Sequence, residues 1–303
     1  MLVLALALAA ALGVTMASLH PNASSATLPQ RLCGTAKKHP RRWKHVIWIW
    51  LENAPYGEIL GNRTLPYVNR LAQRCGLAVD YRAVSHPSLP NYLAATSGGT
   101  WGIGDDKPPS SHPLARASIF GRLMADGKTW RSYVESMPSN CALASSGLYA
   151  VKHNPAAYYT PIRKRCAAWD VPLGTTAHGA LASALRADRL PAFSFVVPNV
   201  CSDMHSCPRE TGDAWLGRWV QAIAASPVYK ARQTVLFITF DEGSKEANRV
   251  ATIVVSPSTP RGTRSAKAFT HYSLLKTTAQ LLGIPAKLGR ARKANSMRNP
   301  FHL

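Results

Sequence analysis

Three stretches of this 303-residue chain are almost wholly apolar and then stop at acids or amides. His45–Leu51 (HVIWIWL) runs into Glu52 and Asn53, and Thr234–Phe240 (TVLFITF) runs into Asp241 and Glu242. Phe193–Val197 (FSFVV) runs into Pro198 and Asn199, with Asp203 and His205 a few residues on. Near-continuous runs of β-branched and aromatic residues suit strands buried on both faces. Such strands need helices on either side. Helix-period segments lie between them at Pro66–Arg74, Ala115–Ala125, Thr176–Ala187, Asp213–Ala225 and Ser273–Leu282. With further strand candidates at Thr129–Val134 and Val250–Ser256, the expected class is α/β, a mostly parallel sheet sandwiched by helices.

In open α/β sheets, ligands bind beyond the carboxyl ends of the strands. The chain has only 15 Asp and Glu, yet Glu52, Asp203, Asp241 and Glu242 all sit at these three ends. A single strand-end acid commonly caps a helix or pairs with arginine, so the combined set carries the expectation. Oxygen ligands from Glu52, Asn53, Asp241 and Glu242 suit a divalent cation such as Mg²⁺, Ca²⁺ or Mn²⁺, and Zn²⁺ or Fe if a histidine joins.

Lys and Arg number 36, giving a net charge of +21. That favours anionic partners: phosphorylated substrates, acidic lipid surfaces or nucleic acid. The basic residues are scattered, without a zinc finger or RNP-like stretch, so no nucleic-acid partner is expected. At 46 % hydrophobic and 17 % charged, the chain is no disordered polymer. Leu2 to Met16 is apolar, short for a membrane span, and followed by small residues, as in a cleaved signal peptide, although no Lys or Arg precedes Arg31. The expected layout is a signal peptide over 1–26, a loose basic linker over 27–44, a catalytic domain over 45–286 and a basic surface-wrapping or mobile tail over 287–303. Ser97–Pro113, rich in Gly, Pro and Ser, reads as a long loop or rim. Six cysteines without a CxxC zinc pairing can form up to three disulfides after export, in any of fifteen connectivities. Cys201 and Cys207 are close enough to staple the loop that carries Asp203 and His205.

The segment Ser85-His86-Pro87-Ser88-Leu89-Pro90-Asn91-Tyr92 places Ser88 after a proline turn, at a position fit to start a helix. Backbone N–H groups and the helix dipole favour an anion there. A metal-bound serine hydroxyl becomes a nucleophile without a dedicated base. His153, in Lys152-His153-Asn154-Pro155, and His271, in Thr270-His271-Tyr272-Ser273, are further candidates. Either alone reads more simply as a satisfied structural histidine.

Taken in order, LEN (51–53), SHPSLPNYLAATSG (85–98), YVESMPSNC (133–141), KHNP (152–155), PNVCSDMHSC (198–207), FITFDEG (237–243) and HYSLLKTTAQLLG (271–283) carry a resemblance. The chain is similar, from about Val46 to Leu282, to the bacterial phosphoesterase family. That family groups secreted acid phosphatases with phospholipases C on an alkaline-phosphatase-like core. The wording is nearest the small secreted acid phosphatases, including those acting on phosphatidylinositol 3-phosphate. The resemblance implies Ser88 as nucleophile through a phosphoserine, with Asn91 hydrogen-bonding a phosphate oxygen. It implies a divalent metal at Glu52, Asn53, Asp241 and Glu242. His153, Asp203 and His205 would contact phosphate or assist the leaving group, and Lys152 and His271 would contact substrate. Ala54 departs from the pattern, since many members carry a larger polar or basic residue after the Glu-Asn pair.

The expected function is therefore that of a secreted, monomeric acid phosphatase. Its substrates would be phosphorylated small molecules or phospholipids, with an anionic membrane surface as a partner. Two other readings stand beside it. A phospholipase C-type phosphodiesterase is disfavoured by the compact length. A non-catalytic basic secreted binding protein would show salt-sensitive binding without turnover.

Overall fold

The structure is a computed structural model that describes residues 27–243 and 247–303; the expected signal peptide over 1–26 lies outside the described residues. Two tryptophans on one strand show how the layers arise. Trp48 and Trp50 lie two residues apart on β1 (His45–Leu51), so they share a face. Trp48 Nε1 donates to Thr278 Oγ1 at 2.9 Å, and the Trp50 ring lies against Tyr92 and His271. That face is covered by the helices Ser88–Ser97 and His271–Leu281, which pack on each other. Ile47, Ile49 and Leu51 point the other way and are equally buried, which calls for a second layer. Another packed helix pair is Pro66–Arg74 with Arg209–Ala225. Asp213 joins this pair by accepting the Tyr67 and Val68 N–H groups at 2.8 and 2.7 Å.

The remaining strands are β2 (Gly76–Ala78), β3 (Tyr81–Arg82), β4 (Trp130–Val134), β5 (Asp170–Pro172), β6 (Phe193–Val197), β7 (Thr234–Phe240), β8 (Thr252–Val255), β9 (Arg264–Ser265) and β10 (Phe269–Thr270). With β1, seven of them form one eight-stranded sheet in the order β5-β4-β6-β1-β7-β8-β2-β9. Only β8 runs against its neighbours there, so the sheet is mostly parallel and the fold is α/β, as expected. The register between β1 and β7 sets Leu51 opposite Phe240. Glu52 and Asn53 therefore leave the sheet at the same height as Asp241 and Glu242. The backbone continues that alignment, with Asp241 N–H donating to Leu51 O at 3.0 Å and Glu52 N–H to Asp203 O at 2.9 Å.

Strands β1, β6 and β7 and the helix Pro66–Arg74 have the bounds that the hydrophobic pattern predicts. Two helices begin elsewhere because local caps decide. The Ile119–Ala125 helix starts late, where Ser118 Oγ accepts the Gly121 N–H. The last helix starts early at His271, because Thr270 and Ser273 form a capping box.

The segment expected as a loose linker is in fact clamped. Thr35 and Ala36 both donate to Pro257 O at 2.8 Å, Leu32, Cys33 and Trp43 are buried, and Cys33 is bonded to Cys75. The basic tail likewise wraps the surface and is tied down: Met297, Phe301 and Leu303 are buried, and Thr259 Oγ1 donates to Phe301 O at 2.7 Å. Among many basic residues, a few apolar anchors decide where these segments lie. Cys141–Cys166 and Cys201–Cys207 complete three disulfides and no cysteine is free, which fits an oxidising compartment. Among the described residues, no helix is long and apolar enough to cross a membrane.

Candidate active site

Ser88 is the first residue of the Ser88–Ser97 helix, directly after Pro87. Asn91 fixes that start. Its Oδ1 accepts the Val84 and Ser85 N–H groups, both at 3.0 Å, and its Nδ2 donates to Ser85 O at 2.9 Å and Pro87 O at 3.2 Å. Two acceptor sites and two donors are all an amide has. Asn91 is also fully buried, so the expected contact with a phosphate oxygen is not available to it. Its side chain shapes the turn that aims Ser88. At the other end of the helix, Gly98 sits at φ +83° with Leu288 O only 2.3 Å from where a Cβ would be, so glycine is required.

Ser88 Oγ donates to Glu52 Oε2 at 3.0 Å and lies 3.5 Å from Glu242 Oε1. Tyr92, one helical turn after Ser88, donates its hydroxyl to Glu52 Oε1. His153 Nε2 lies 3.2 Å from Glu52 Oε2, and its ring stacks on Tyr92 at a centroid distance of 5.5 Å. On its other side, His153 Nδ1 faces Asp203 Oδ2 at 3.8 Å. The structure thus brings Ser88, Glu52, His153 and Asp203 into one buried cluster, with both Glu52 oxygens engaged by protein groups.

Asp203 is held by its loop. Its Oδ1 accepts the His205 N–H at 2.9 Å, and Asn199 Oδ1 accepts the Cys201 and Ser202 N–H groups within the stretch closed by Cys201–Cys207.

Burial dominates the electrostatics. It pushes the Glu52 carboxyl up to about 8, with Asp203 adding to it, and the Asp203 carboxyl up to about 6 against the opposing pull of His153. Asp241 is driven well above the usual carboxylate range by burial and then by Glu52 and Glu242. Glu242 is also raised by burial, against its ion pair with His86. His153 is pulled down to about 4 by burial, which outweighs Asp203. Buried charges in proteins are paired or coordinate a metal.

Two observations fit a cation here. Asn53 Oδ1 and Asp241 Oδ2 are buried oxygens without a partner, while Asp241 Oδ1 accepts the Asn53 and Glu242 N–H groups at 2.9 and 2.6 Å. Oxygen donors of this kind suit a hard divalent ion. Glu52 can join them, since Ser88 and Tyr92 each take one acceptor site on its two oxygens and leave the others open. The cluster of Cys141, Cys166 and Asp170 is no alternative metal site, because its two sulfurs are bonded to each other.

Three other expected residues lie at different depths. His205 is exposed, its ring bonded to Ser206 Oγ at 3.1 Å; burial, with Lys152 and His153 nearby, lowers its pKa. His271 is fully buried beneath the site, with Nε2 2.6 Å from Asp241 O and Nδ1 3.1 Å from the Tyr81 hydroxyl. It holds Asp241 in place and cannot contact substrate as expected. Lys152 donates to Asp106 Oδ2 at 2.8 Å. Burial works against its charge, yet Asp106, with Glu52 and Asp241 behind it, raises its pKa overall.

Sequence reasoning assigned no role to Tyr92, His86 or Asp106. The spacing of four from Ser88 could have flagged Tyr92 as sharing its helix face. Asp106 gave no such signal: it reaches in from the 97–113 loop to accept the Leu89 N–H at 2.9 Å.

The model of the family described as Phosphoesterase family matches residues 50–285. The chain belongs to that family. It is 31 % identical over 287 residues to a phosphatidylinositol-3-phosphatase of Mycobacterium tuberculosis, covering 94 % of this chain and 91 % of that one. An acid phosphatase of Aspergillus fumigatus is 27 % identical over 257 residues, 80 % of this chain but 55 % of the fungal protein. Among solved structures, an alkaline phosphatase superfamily protein from Vibrio parahaemolyticus shares the fold at TM-score 0.58 and 12 % identity, covering 92 % of this chain and 78 % of its own. This phosphoesterase thus has the alkaline-phosphatase-like core that its motifs imply.

Proposed function

We propose that this phosphoesterase is a secreted acid phosphatase that hydrolyses phosphate monoesters, phosphoinositides among them, through Ser88. The observation that carries the reading is the Ser88 hydroxyl at a helix start, hydrogen-bonded at 3.0 Å to Glu52 within a buried acidic cluster. In this reading Ser88 Oγ attacks phosphorus, forming the Oγ–P bond as the ester P–O bond breaks. The hydroxyl proton passes to Glu52 Oε2, the acceptor already bonded to it, in the fraction of molecules in which that carboxyl is ionised. Tyr92 keeps Glu52 in place, His153 Nε2 lies beside it, and Asp203 faces the far side of the imidazole. Lys152 supplies positive charge to the substrate, and His205, at the exposed edge, gives its proton to the leaving oxygen. Water then cleaves the phosphoserine, releasing inorganic phosphate and restoring Ser88. Glu52, Asn53, Asp241 and Glu242 would hold a divalent cation, which when bound supplies charge neutralisation and a lower pKa for the serine hydroxyl.

The identity to the mycobacterial phosphatidylinositol-3-phosphatase supports a phosphoinositide among the substrates, and three disulfides support export. The test is hydrolysis of p-nitrophenyl phosphate by wild type and Ser88→Ala from pH 5 to 8, with and without chelator. A choline diester of p-nitrophenyl phosphate is run alongside. Turnover of the monoester by wild type alone, lost with chelator, is expected. Full activity in Ser88→Ala, or preference for the diester, would refute the reading.

A further inference from the structure

Between β4 and the turn that carries Lys152 and His153, the chain makes an uncharged excursion. Residues 143–148 read Leu-Ala-Ser-Ser-Gly-Leu, and all six are exposed. Leu143 is 46 % and Leu148 48 % exposed; with Trp101 they are the large hydrophobic side chains left in water among the described residues. Single exposed leucines need no explanation. Here two share one short uncharged loop in a chain of net charge +21.

The loop is firmly held. Ser146 and Tyr149 exchange backbone hydrogen bonds at 3.0 and 2.9 Å, which turns the chain sharply at Gly147 and puts Leu148 at the tip. The Tyr149 hydroxyl donates to Ala142 O at 2.8 Å, and Ser145 Oγ accepts the Val151 N–H at 3.0 Å. Leu148 O accepts the Val200 N–H at 3.1 Å. These bonds join the loop to the turn bearing His153 and to the loop bearing Asp203, so its leucines stand at the edge of the site. The base of the loop is fastened to a basic helix, Arg163–Trp169, by the Cys141–Cys166 disulfide and by Asn140 Nδ2 donating to Ala167 O at 3.1 Å. That helix opens Arg-Lys-Arg, with Lys164 and Arg165 exposed.

Exposed leucines and exposed cations carried on one disulfide-fastened base complement a bilayer surface. Apolar side chains enter the acyl boundary while Lys and Arg meet anionic headgroups. We propose that the 143–148 loop and the Arg163–Trp169 helix together form a docking surface for anionic phospholipid bilayers, one that brings headgroup phosphates to Ser88. The delivery to Ser88 rests on the phosphatase reading; the docking does not.

Binding is measured by sedimentation with vesicles of phosphatidylcholine alone and of phosphatidylcholine with phosphatidylserine. Wild type and Ser88→Ala are compared, so that binding is read without turnover. Both are expected to bind the anionic vesicles alike and the neutral ones weakly. Leu143→Ser/Leu148→Ser and Lys164→Glu/Arg165→Glu are each expected to weaken binding about ten-fold or more. Both variants should keep wild-type hydrolysis of soluble p-nitrophenyl phosphate. Absence of wild-type binding to anionic vesicles would overturn the proposal, as would binding by both double variants equal to wild type. If Ser88→Ala keeps both vesicle binding and full hydrolysis, the docking surface stands and the Ser88 reading fails.

Discussion

Replacing Asp170 by asparagine is expected to leave stability unchanged at pH 4 and to raise it at pH 8. Asp170 opens β5 and is fully buried; its Oδ2 accepts from Asn154 Nδ2 at 2.7 Å, and its Oδ1 has no partner. Asn154 follows Lys152 and His153 directly and also donates to the Tyr149 hydroxyl at 3.1 Å, so the pair supports the turn that carries both site residues. Burial pushes the Asp170 carboxyl from its ordinary 3.8 up to about 7, and the Asn154 hydrogen bond offsets only part of this. The folded protein therefore keeps a proton that the unfolded chain has released. The favourable contribution is complete below the unfolded value and is lost as pH rises to the folded one. About three pH units at about 1.4 kcal/mol each amount to about 4 kcal/mol. Asparagine keeps an acceptor for Asn154 and does not titrate. His153 and His271, both lowered to about 4 by burial, act in the opposite sense, losing stability as pH falls below the unfolded value near 6.5. The difference between wild type and variant removes their contribution. Urea unfolding of both proteins at pH 4, 6 and 8 should show the advantage of the variant growing from near zero to about 4 kcal/mol. A difference that does not change with pH, or one that shrinks as pH rises, would refute the reasoning.

Two further outcomes test how the loops serve the site. Cys201→Ala with Cys207→Ala opens a loop of sequence separation 6, and should cost about 2 kcal/mol in thermal unfolding. It should also lower kcat/KM for p-nitrophenyl phosphate, because Asp203 loses its fixed loop; unchanged melting and unchanged activity together would show that the staple is dispensable. Asp106→Asn removes the charge that Lys152 pairs with while leaving an acceptor for the Leu89 N–H. Losing a charged hydrogen bond of about 1.5–3 kcal/mol should lower the melting temperature, and if Asp106 positions Lys152 it should also lower kcat, by up to about 10- to 100-fold. Wild-type kcat would show that Asp106 does not position Lys152.

How far the sequence was readable followed from the physics of each element. β1, β6 and β7 are long, buried on both faces and ended by polar residues, so pattern and boundary coincide. β2, β3, β9 and β10 have two or three residues each, too few to carry a period, and exist because neighbouring backbone offers partners. At the site, residue type was legible and orientation was not. Asn91 and His271 lie in the motifs that carry the resemblance, yet one spends its amide on a turn and the other supports a strand end from below. Asp106 and Lys152 lie 46 residues apart and meet only because the 97–113 loop folds over the helix start.

That meeting also changes what attracts substrate. The start of the Ser88–Ser97 helix was expected to draw an anion through its free N–H groups. Asp106 already occupies the Leu89 N–H, and Pro90 has none to offer. Around Ser88 stand Glu52, Asp203, Asp241 and Glu242, all buried, and like charges at close range repel a phosphate strongly in a low-dielectric site. Lys152 cannot balance four carboxylates while it is paired with Asp106. Either the acids hold protons, as burial favours, or they hold a cation; only the second also leaves positive charge for the substrate. The chelator arm of the activity test is therefore expected to abolish turnover at every pH, not merely to shift the optimum. Activity that persists without metal at pH 5, where burial favours the protonated carboxyls, would mean that protons alone neutralise the cluster.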